Sequence, residues 1–441
     1  MTLRERFDRQ LRSLQLSPGP AVVAVSGGPD SLALLDLLAG APAARGLALH
    51  VAHADHGIHP ESAAVADTVR AAAARYPMPF HLERLGLGAG ASETAARSAR
   101  YRWLYRLADE LGADIVFTAH HQDDQIETIL MRLLRGSGPA GLAGMAARRG
   151  RLVRPLLPFR RQELAGYLQG QGVTWWEDPA NRDARHLRSW IRTVLLPVIR
   201  ARVPGVERRI LGLGRQAAAE RAAWEALLAS LPGLDLRVER NGVSVAAPSL
   251  RGYDSGVLRA LLGALGRRAG CLVGPIRAAR IERLLAGNRS GAVAELGAGC
   301  LAELSFDRLR LFRGVAHPPL WEPSSLAEPE GRMVAGEWWL SWRRAAAPDR
   351  LERDSATGWF ADGVYVVRPW RPGDRIRPLG GRGRRLVVRC LQDARIARTR
   401  RAAWPVVARG ELVVWVPGVC RSADRLPAPG APALRIDAHL A

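Results

Sequence analysis

The sequence predicts an α/β protein whose N-terminal part is a doubly wound parallel sheet. Short apolar runs, such as Ala21–Val25, Ala48–Ala54 and Asp114–Ala119, alternate with longer amphipathic stretches. Strands that alternate with helices in this way indicate a parallel sheet with helices on both faces. Polar residues cluster directly after these three runs. Because ligands bind at the carboxyl ends of the strands in such sheets, we expect the binding site there.

The intervening stretches supply the remaining elements of this sheet in order. A helix follows the first strand, and further helices begin near Ala63 and after the strand Asp114–Ala119, the last of them ending at Arg135. Ser92 precedes a long helical stretch and is a preferred N-cap residue. The predicted elements are Leu32–Leu38 (helix), Phe80–Leu82 (strand) and Ala91–Leu111 (helix).

The second half of the chain has a different composition, from which we predict three further segments. An Ala- and Arg-rich helix over Arg208–Leu231, a helix over Pro275–Ala286 and short strands up to Phe312 indicate a mixed α+β domain. A Pro-rich stretch then reads as a linker, and the end of the chain has many short β runs broken by Gly and Pro. The predicted boundaries are 1–206 for the catalytic domain, 207–314 for a mixed substrate-binding domain, 315–358 for a linker with short strands, and 359–441 for a small β-rich domain.

The charge of the chain indicates a polyanionic partner. The 441 residues carry a net charge of +22, and all 64 basic residues are arginines, since the sequence contains no lysine. A surplus of this size favours nucleic acid. No apolar run is long enough to span a bilayer, so we expect no membrane partner. The four cysteines are far apart in the sequence and fit neither a zinc ribbon nor a disulfide scaffold, which favours a reducing, cytoplasmic location.

A glycine-rich turn follows the first predicted strand and leads into a helix. Its residues are Ser26, Gly27, Gly28, Pro29, Asp30 and Ser31. Such a turn presents backbone N–H groups and the positive end of a helix to an anion. A Walker A loop is excluded because it needs a lysine, and the spacing of a dinucleotide-binding loop is absent. An ordinary glycine turn that caps a helix remains the alternative reading of the hexapeptide alone.

This turn is similar to the PP-loop of the ATP pyrophosphatase superfamily, a Rossmann-like fold whose members split ATP between the α and β phosphates. The resemblance implies ATP as co-substrate, with Ser26 to Ser31 gripping the pyrophosphate. A carboxylate would repel phosphate unless a cation lay between them, so we assign Asp30 as the candidate Mg²⁺ ligand.

Further motifs lie along the chain after this turn. They are HADHG (53–57), ETAARSARY (93–101), HHQDDQIET (120–128), LMRLLRGSG (130–138), GLAGM (141–145), RPL (154–156), EDPAN (177–181), RPGD (371–374) and LQDARI (391–396). Together they resemble one family of that superfamily, the tRNA(Ile)-lysidine synthetases, and the resemblance covers nearly the whole chain. Two positions depart from the family pattern: His59 stands where Arg is usual, and Ser189 stands where Asn is usual.

The resemblance implies a two-step reaction on the wobble cytidine of a tRNA(Ile) with a CAU anticodon. The 2-carbonyl oxygen of the base is adenylated by ATP, and the side-chain amine of free L-lysine then displaces AMP. A carbon–nitrogen bond is formed, so the class is ligase. A homodimer is one of the oligomeric states that the sequence leaves open.

The acids of the HHQDDQIET motif suit this chemistry for reasons that do not depend on the resemblance. Asp123, Asp124 and Glu127 share a face of the predicted helix and lie at its start. Clustered carboxylates there are suited to hold an ammonium group, although acids also stabilise a helix N-terminus. With the resemblance, we assign Asp124 and Glu127 to the lysine site and, with Asp30 and Arg100, to the catalytic set.

For each of the other polar residues in these motifs, the sequence leaves two possible roles open. Arg97 and Arg100 share a helix face that either reaches phosphate or the activated base, or is simply solvated. The pair His120 and His121 either contacts nucleotide or caps the turn. Asp55 either places metal or substrate, or fixes its own loop.

The C-terminal segment 368–401 is the candidate tRNA-docking region. It contains twelve arginines and two acids, Asp374 and Asp393. Basic density without an apolar helical stripe favours contact with a phosphate backbone.

Two other functions compete with the ligase. A tRNA thiolase of the same superfamily uses a reactive cysteine or a Cys-bound iron–sulfur cluster near the PP-loop domain, but no cysteine precedes Cys271. A non-catalytic RNA-binding protein is the other alternative, and loss of the Gly, Asp or Ser residues of the loop would have favoured it.

Overall fold

A computed structural model describes residues 1–55, 62–88, 92–176, 187–316, 320–351 and 356–440. The motif residues at 56–57 and 177–181, and the departure at His59, lie outside these ranges. The chain divides into two compact units, Met1–Arg221 and Ala222–Ala441. No helix in the described part of the chain combines the length and apolar character needed to cross a bilayer.

The first unit is built around a six-stranded sheet. Its strands occur in the order β3-β2-β1-β4-β6-β5, and all neighbours are parallel except β5 and β6, which form an antiparallel pair. The strands are β1 (Gly19–Ala24), β2 (Leu47–Asp55), β3 (Phe80–Arg84), β4 (Ile115–Phe117), β5 (Arg148–Arg149) and β6 (Leu152–Val153). The helices are α1 (Leu3–Ser13), α2 (Pro29–Gly40), α3 (Ser62–Ala74), α4 (Glu93–Glu110), α5 (Gln122–Leu134), α6 (Arg161–Gly170), α7 (Leu187–Trp190), α8 (Leu196–Arg202) and α9 (Val206–Ser230).

Helices cover both faces of this sheet, so the predicted doubly wound architecture is confirmed. Val23 and Phe117 face a core that α1, α2, α3 and α6 share. Their neighbours Val22 and Val116 face the opposite core, to which α4 contributes Trp103. Successive strand residues alternate between two buried faces, which is why these strands are continuously apolar. Ser92 is the N-cap of α4, as predicted, and its side chain accepts a hydrogen bond from the backbone of Ala95.

The second unit contains an antiparallel sheet and three helices that share one core. The strands occur in the order β7-β8-β11-β10-β9. They are β7 (Arg237–Glu239), β8 (Gly242–Ala246), β9 (Ala292–Gly297), β10 (Cys300–Ser305) and β11 (Arg308–Arg313), with helices α10 (Ala247–Leu250), α11 (Ser255–Arg268) and α12 (Pro275–Ala286). The long helix predicted before this sheet, Arg208–Leu231, corresponds to α9, in which the division between the two units falls.

The rest of the second unit contains three small sheets. Their strand orders are β12-β16-β19-β20-β21, β13-β14-β22-β15 and β17-β18. The strands are β12 (Ser324–Ser325), β13 (Glu330–Ala335), β14 (Trp338–Ala346), β15 (Thr357–Ala361), β16 (Val366–Pro369), β17 (Arg375–Ile376), β18 (Arg385–Leu386), β19 (Pro405–Arg409), β20 (Leu412–Val416), β21 (Cys420–Arg421) and β22 (Pro432–Leu440), with helices α13 (Val387–Asp393) and α14 (Arg398–Arg401).

The segment 315–358, for which we predicted a linker with short strands, supplies β13 and β14 to one of these sheets. Strand β14 is nine residues long and pairs along its whole length with β22. Trp338 and Leu340 alternate with exposed residues and lie in the same core as Trp415. The β-rich region therefore begins well before residue 359, because the apolar alternation of β14 follows directly on the Pro-rich stretch.

Candidate active site

The glycine-rich turn joins β1 to α2 at the carboxyl edge of the parallel sheet. Gly27 has φ of +86°, a conformation that favours glycine, and a Cβ atom there would lie 2.6 Å from Val65 Cγ1. Gly28 is the N-cap of α2 and supplies no side chain, so the N-terminus of this twelve-residue helix has no side-chain cap. This is the backbone arrangement that binds an anionic group.

Two serines and a histidine fix the shape of this turn. The Ser31 hydroxyl donates to the Gly28 carbonyl at 2.9 Å and accepts from the Ser26 backbone N–H at 3.1 Å. Buried His53, near the end of β2, donates through Nδ1 to the Val25 carbonyl at 2.8 Å. Burial lowers the pKa of His53, so its ring is neutral and can serve in this structural role. Asp55 is also buried and ends β2.

His121 connects the turn after β1 with the acids at the start of α5. Its Nε2 atom lies 3.5 Å from one oxygen of Asp30 and 3.5 Å from one oxygen of Asp124. Burial opposes a charge on this ring, but the Asp30 and Asp124 carboxylates outweigh it and raise the pKa of His121. The same residue is the N-cap of α5, where its backbone N–H donates to Asp124 at 3.0 Å. The structure thus brings the loop acid and the first helix acid together across one imidazole.

Asp124 and Glu127, which we assigned to the lysine site, are bound by two arginines. Arg188 donates to Asp124 at 2.9 Å and to Glu127 at 2.7 Å, and Arg192 donates to Glu127 at 2.6 Å. The Glu127 side chain is only 1% exposed. Burial alone would raise the pKa of Asp124, but His121 and Arg188 outweigh it and lower that pKa, so this carboxylate stays ionised.

Sequence reasoning missed both arginines as members of the site. Arg188 and Arg192 are four residues apart, where α7 continues into a π-helical turn, Ile191–Leu195. Residues four apart share a helix face, so this spacing is the signal that could have identified them. Ser189, the second departure from the family pattern, lies between them, and its carbonyl accepts a hydrogen bond from Thr193.

Asp123, the remaining acid of the HHQDDQIET motif, lies 3.6 Å from His121 Nδ1 and has further partners on α6 and before it. One oxygen accepts from the Arg161 backbone N–H at 2.9 Å, and the other lies 3.3 Å from Arg160. Asp123 therefore fixes the start of α6 beside the site, whereas Asp124 and Glu127 face Arg188 and Arg192.

His120 follows β4 at the carboxyl edge of the sheet, and Arg100 lies on α4. His120 is hydrogen-bonded through Nδ1 to Thr118 at 3.0 Å. Burial, with repulsion from Arg154, lowers the pKa of His120 to about 3, so this ring is neutral. Arg97 and Arg100 both lie over the ring of Tyr101 on α4, at 5.1 and 5.5 Å.

The Asp30 carboxylate has the features expected of a cation ligand that works with a bound nucleotide. Its Oδ1 atom is buried and has no hydrogen-bond partner. Among the described residues, no group of three or more His, Cys, Asp or Glu side chains could hold a metal ion by itself. Mg²⁺ is usually held by one or two carboxylates together with substrate phosphates, and Asp30 fits that arrangement.

The fold and this turn define an ATP-binding protein of the PP-loop class. Residues 3–199 match the family model of the PP-loop domain, and residues 365–438 match the TilS substrate C-terminal domain. The chain belongs to the tRNA(Ile)-lysidine synthase family.

Individual relatives support this assignment over most of the chain. The chain is 38% identical to a tRNA(Ile)-lysidine synthase from Alkalilimnicola ehrlichii, covering 90% of this chain and 89% of the relative. It is 33% identical to that of Geobacter sulfurreducens, covering 91% and 89%. Among solved structures, a U34-tRNA thiolase from Methanococcus maripaludis with its [4Fe-4S] cluster aligns at 16% identity and a TM-score of 0.40, covering 48% of this chain and 78% of that one.

Proposed function

We propose that this chain joins free L-lysine to the wobble cytidine of CAU-anticodon tRNA(Ile) in two steps that consume ATP. The observation that carries the proposal is the link Asp30–His121–Asp124, in which the acid of the nucleotide loop and an acid of the cation-binding pair lie 3.5 Å from the same ring nitrogen. A nucleotide and an amine held by these two acids would meet at one edge of the sheet. We place this activity in the cytoplasm.

In the first step, the cytidine 2-carbonyl oxygen attacks the α-phosphorus of ATP. The bond between the α-phosphorus and the bridging oxygen breaks, and pyrophosphate leaves. The turn at Gly27 and Gly28 and the free N–H groups of α2 hold the departing pyrophosphate, because they offer donors and a positive helix end to an anion. Asp30 would hold Mg²⁺, which offsets the phosphate charge when it is bound.

In the second step, the lysine side-chain nitrogen attacks C2 of the adenylated base. A C–N bond forms, the C–O bond to AMP breaks, and the ammonium nitrogen gives up two of its three protons, one before it attacks and one as the bond forms, which Asp124, Glu127 or water can accept. Asp124 and Glu127 hold the incoming ammonium, since they already bind two cationic groups, Arg188 and Arg192. Lysine brings the same charge as a guanidinium group, so it can share or take over one of these contacts.

Arg100 and the C-terminal arginines would act on the tRNA. Arg100 lies on α4 over the ring of Tyr101, and we assign it to contact with the base or its phosphate. Arg382 and Arg384, in the second unit, are exposed. Contacts with phosphate position an RNA without reading its sequence, which is the role we assign to these arginines.

The test separates the two chemical steps. Unmodified CAU-anticodon tRNA(Ile), ATP and labelled L-lysine are incubated with the purified chain, and label on the tRNA is measured. In parallel, adenylated tRNA is measured with labelled ATP in the absence of lysine. We expect Asp124→Asn to keep adenylation and to lose lysine transfer, and Asp30→Asn to lose both.

A folded wild-type chain that transfers no label in the presence of ATP would contradict the proposal. ATP-dependent sulfur transfer to tRNA would instead support a thiolase, and binding without either reaction would support a non-catalytic RNA-binding protein. All the glycine, aspartate and serine residues of the loop are present, and all four cysteines lie in the second unit, which favours the ligase.

A further inference from the structure

The four cysteines of the chain form two pairs in the second unit, although they are far apart in the sequence. Cys271 follows α11 and Cys300 begins β10, and the Cys271 thiol is hydrogen-bonded to the Cys300 sulfur. Cys390 lies on α13 and Cys420 begins β21, and these two thiols are hydrogen-bonded in the same way. A disulfide needs an S–S distance of about 2 Å, so sulfurs already in this contact need only a small shift to form one.

The two pairs differ in how far a reagent in solution can reach them. Cys271 and Cys300 are 0% and 4% exposed, inside the core that the antiparallel sheet shares with its helices. Cys390 is also buried, at 5% exposed, but Cys420 is only half-buried and packs at the margin of the same core as Cys390. A small molecule can therefore reach one thiol of the second pair and neither thiol of the first.

Arg385, on β18 directly before α13, brings a positive charge to the Cys390–Cys420 pair and acts on both sulfurs. Burial and Cys390 raise the pKa of Cys420 to about 12, and Arg385 opposes that rise. Arg313 acts on Cys271 in the same way, so access and not charge distinguishes the pairs. A cation beside an accessible thiol is the setting of a reactive cysteine, since the thiolate is the nucleophile in disulfide exchange.

We propose that Cys390 and Cys420 form a reversible disulfide on exposure to a low-molecular-weight disulfide, while Cys271 and Cys300 remain thiols in the folded chain. The bond would tie α13 to β21. Because small thiols reverse it, the bond would follow the redox state of the compartment, which is the usual role of a disulfide in a reducing environment. The inference rests on the placement of the cysteines and does not depend on the proposed function.

The exchange takes place in two balanced steps. Cys420, as the thiolate, attacks one sulfur of the reagent, whose S–S bond breaks and releases one small thiol. Cys390 then attacks the Cys420 sulfur of the mixed disulfide, and the second small thiol leaves. The two cysteines lose two electrons and two protons, and the reagent takes up both as two thiols. The raised pKa of Cys420 keeps its thiolate scarce at neutral pH, so we expect the reaction to take hours.

The test treats the folded full chain with oxidised glutathione. Remaining thiols are blocked with iodoacetamide in denaturant, and the chain is digested without reductant and mapped by mass spectrometry. We expect the free thiols to fall from four to two, with one cross-link that joins the peptides containing Cys390 and Cys420. Dithiothreitol should restore all four. In a chain unfolded with urea, Cys271 and Cys300 should react as well, because burial no longer protects them.

Cys271→Ser and Cys420→Ser are matched variants, one from each pair. Treatment should lower the free thiols of Cys271→Ser from three to one, because its Cys390–Cys420 pair is intact. Cys420→Ser should keep all three, since the accessible thiol is gone. Circular dichroism checks the fold of each variant, and the map of the wild type decides the question even where a variant does not fold.

Four free thiols in the treated wild type would overturn the inference. A cross-link between Cys271 and Cys300 in the folded chain would also overturn it, because access would then not select the pair. A glutathione adduct that persists on Cys420, or a cross-link between two copies of the chain, would show that Cys390 does not resolve the mixed disulfide, which equally overturns it.

Discussion

Gly27 shows how one backbone angle shapes the nucleotide loop. Its φ of +86° turns β1 sharply into α2, and Val65 of α3 fills the space where a side chain would be. Gly28, the next residue, has φ of −79°, and a Cβ atom there would come no nearer than 3.7 Å to Ser26 Oγ. Glycine therefore stands at these two positions for different structural reasons, although the two residues look equivalent in the sequence.

We expect Gly27→Ala to lower the free energy of unfolding by at least about 1–2 kcal/mol, the cost of a left-handed backbone at a residue with a Cβ atom. The contact with Val65 adds to this loss, and ATP affinity should fall with it. Gly28→Ala should leave the stability nearly unchanged, and thermal unfolding of the two variants checks the difference. Equal melting temperatures for Gly27→Ala and the wild type would contradict this account of the loop.

Arg188 and Arg192 form ion pairs with the acids that we propose for lysine binding. These ion pairs lead to a prediction about the affinity for lysine. Removing Arg188 leaves Asp124 and Glu127 with one cation fewer, so a lysine ammonium meets less competition. We expect Arg188→Ala to lower KM for lysine by about two- to fivefold, the scale of a partly exposed ion pair. Initial rates at saturating ATP and tRNA measure this.

Arg160→Ala is the control for that variant. Arg160 pairs with Asp123 and Glu207 in the same unit, and removing it should leave KM for lysine unchanged. A higher KM for lysine in Arg188→Ala would mean that Arg188 assists lysine binding rather than competing with it.

Among the elements of the second unit, β10 and β11 are joined by an ion pair in the core. Glu303 is fully buried and accepts from Arg310 at 2.7 Å and from the Thr399 hydroxyl at 2.6 Å. Arg310 also binds Glu239 on β7 at 2.8 Å. Three strands of one sheet and a C-terminal helix thus share a single charged network.

Arg310→Met should destabilise the chain by about 3–5 kcal/mol, because Glu303 would be left as a buried charge without its partner. Urea unfolding of the full chain measures the loss. In the double variant Glu303→Leu/Arg310→Met the fully buried charge is gone and only the partly exposed Glu239 lacks its partner, so at least half of the stability should return. A double variant as unstable as the single one would show that packing, and not charge, causes the loss.

The same network predicts how stability depends on pH. Burial opposes the charge on Glu239, but Arg310 outweighs it and lowers the pKa of Glu239 below the ordinary value of 4.5. A carboxyl with a lowered folded-state pKa stabilises the protein above the unfolded-state pKa, and that contribution is lost as the pH falls through the lower value. The advantage of the wild type over Glu239→Gln should therefore be full at pH 6 and shrink below about pH 4.5.

Urea unfolding across this range checks the pH prediction. Glu411→Gln is the control, since Glu411 is an exposed acid of the same unit and forms no ion pair with the described residues. A difference between wild type and Glu239→Gln that stays constant from pH 6 to pH 3.5 would rule out the pairing of Glu239 with Arg310 as its source.

The elements of the first unit could be predicted because their signals are local. The central strands β1 and β4 are uninterrupted apolar runs, and the cap Ser92 stands directly before its helix. The ion pairs of the site could not be predicted in the same way. Glu127 and Arg188 are separated by 61 residues in the sequence, and the segment before Arg188 gives no periodic signal that would orient it.

Over the whole molecule, the arginines that make up the charge surplus have two different roles. Some pair with acids of the protein itself, and others are exposed. Of the twelve arginines in 368–401, Arg368 is only 5% exposed and binds Asp374 through both Nη atoms. Others pair with Asp307, Glu337, Asp393 and Asp424. Arg382 and Arg384 are exposed and form no ion pair with the described residues. Composition counts all of these equally, so it overstates the charge available to RNA.

We expect the affinity for tRNA to fall steeply as salt rises, because each neutralised phosphate releases counterions. In the variant Arg382→Ala/Arg384→Ala, the slope of log K against log salt should decrease in magnitude by about 2, one for each arginine that is removed. Arg259→Ala is the control, since Arg259 is paired with Glu282. An unchanged slope in the double variant would place the phosphate-binding role on other arginines.

The cross-strand pairing of Glu303 with Arg310 has a consequence for how the chain folds during synthesis. If β10 slipped by one residue against β11, Glu303 would face Leu309 or Leu311 and turn to the other side of the sheet. The correct pairing also needs Thr399, which is translated almost a hundred residues after Glu303. The sheet β7-β8-β11-β10-β9 therefore cannot form all of its stabilising contacts on the ribosome before the last tenth of the chain is being synthesised. The second unit should mature late, and in one cooperative event.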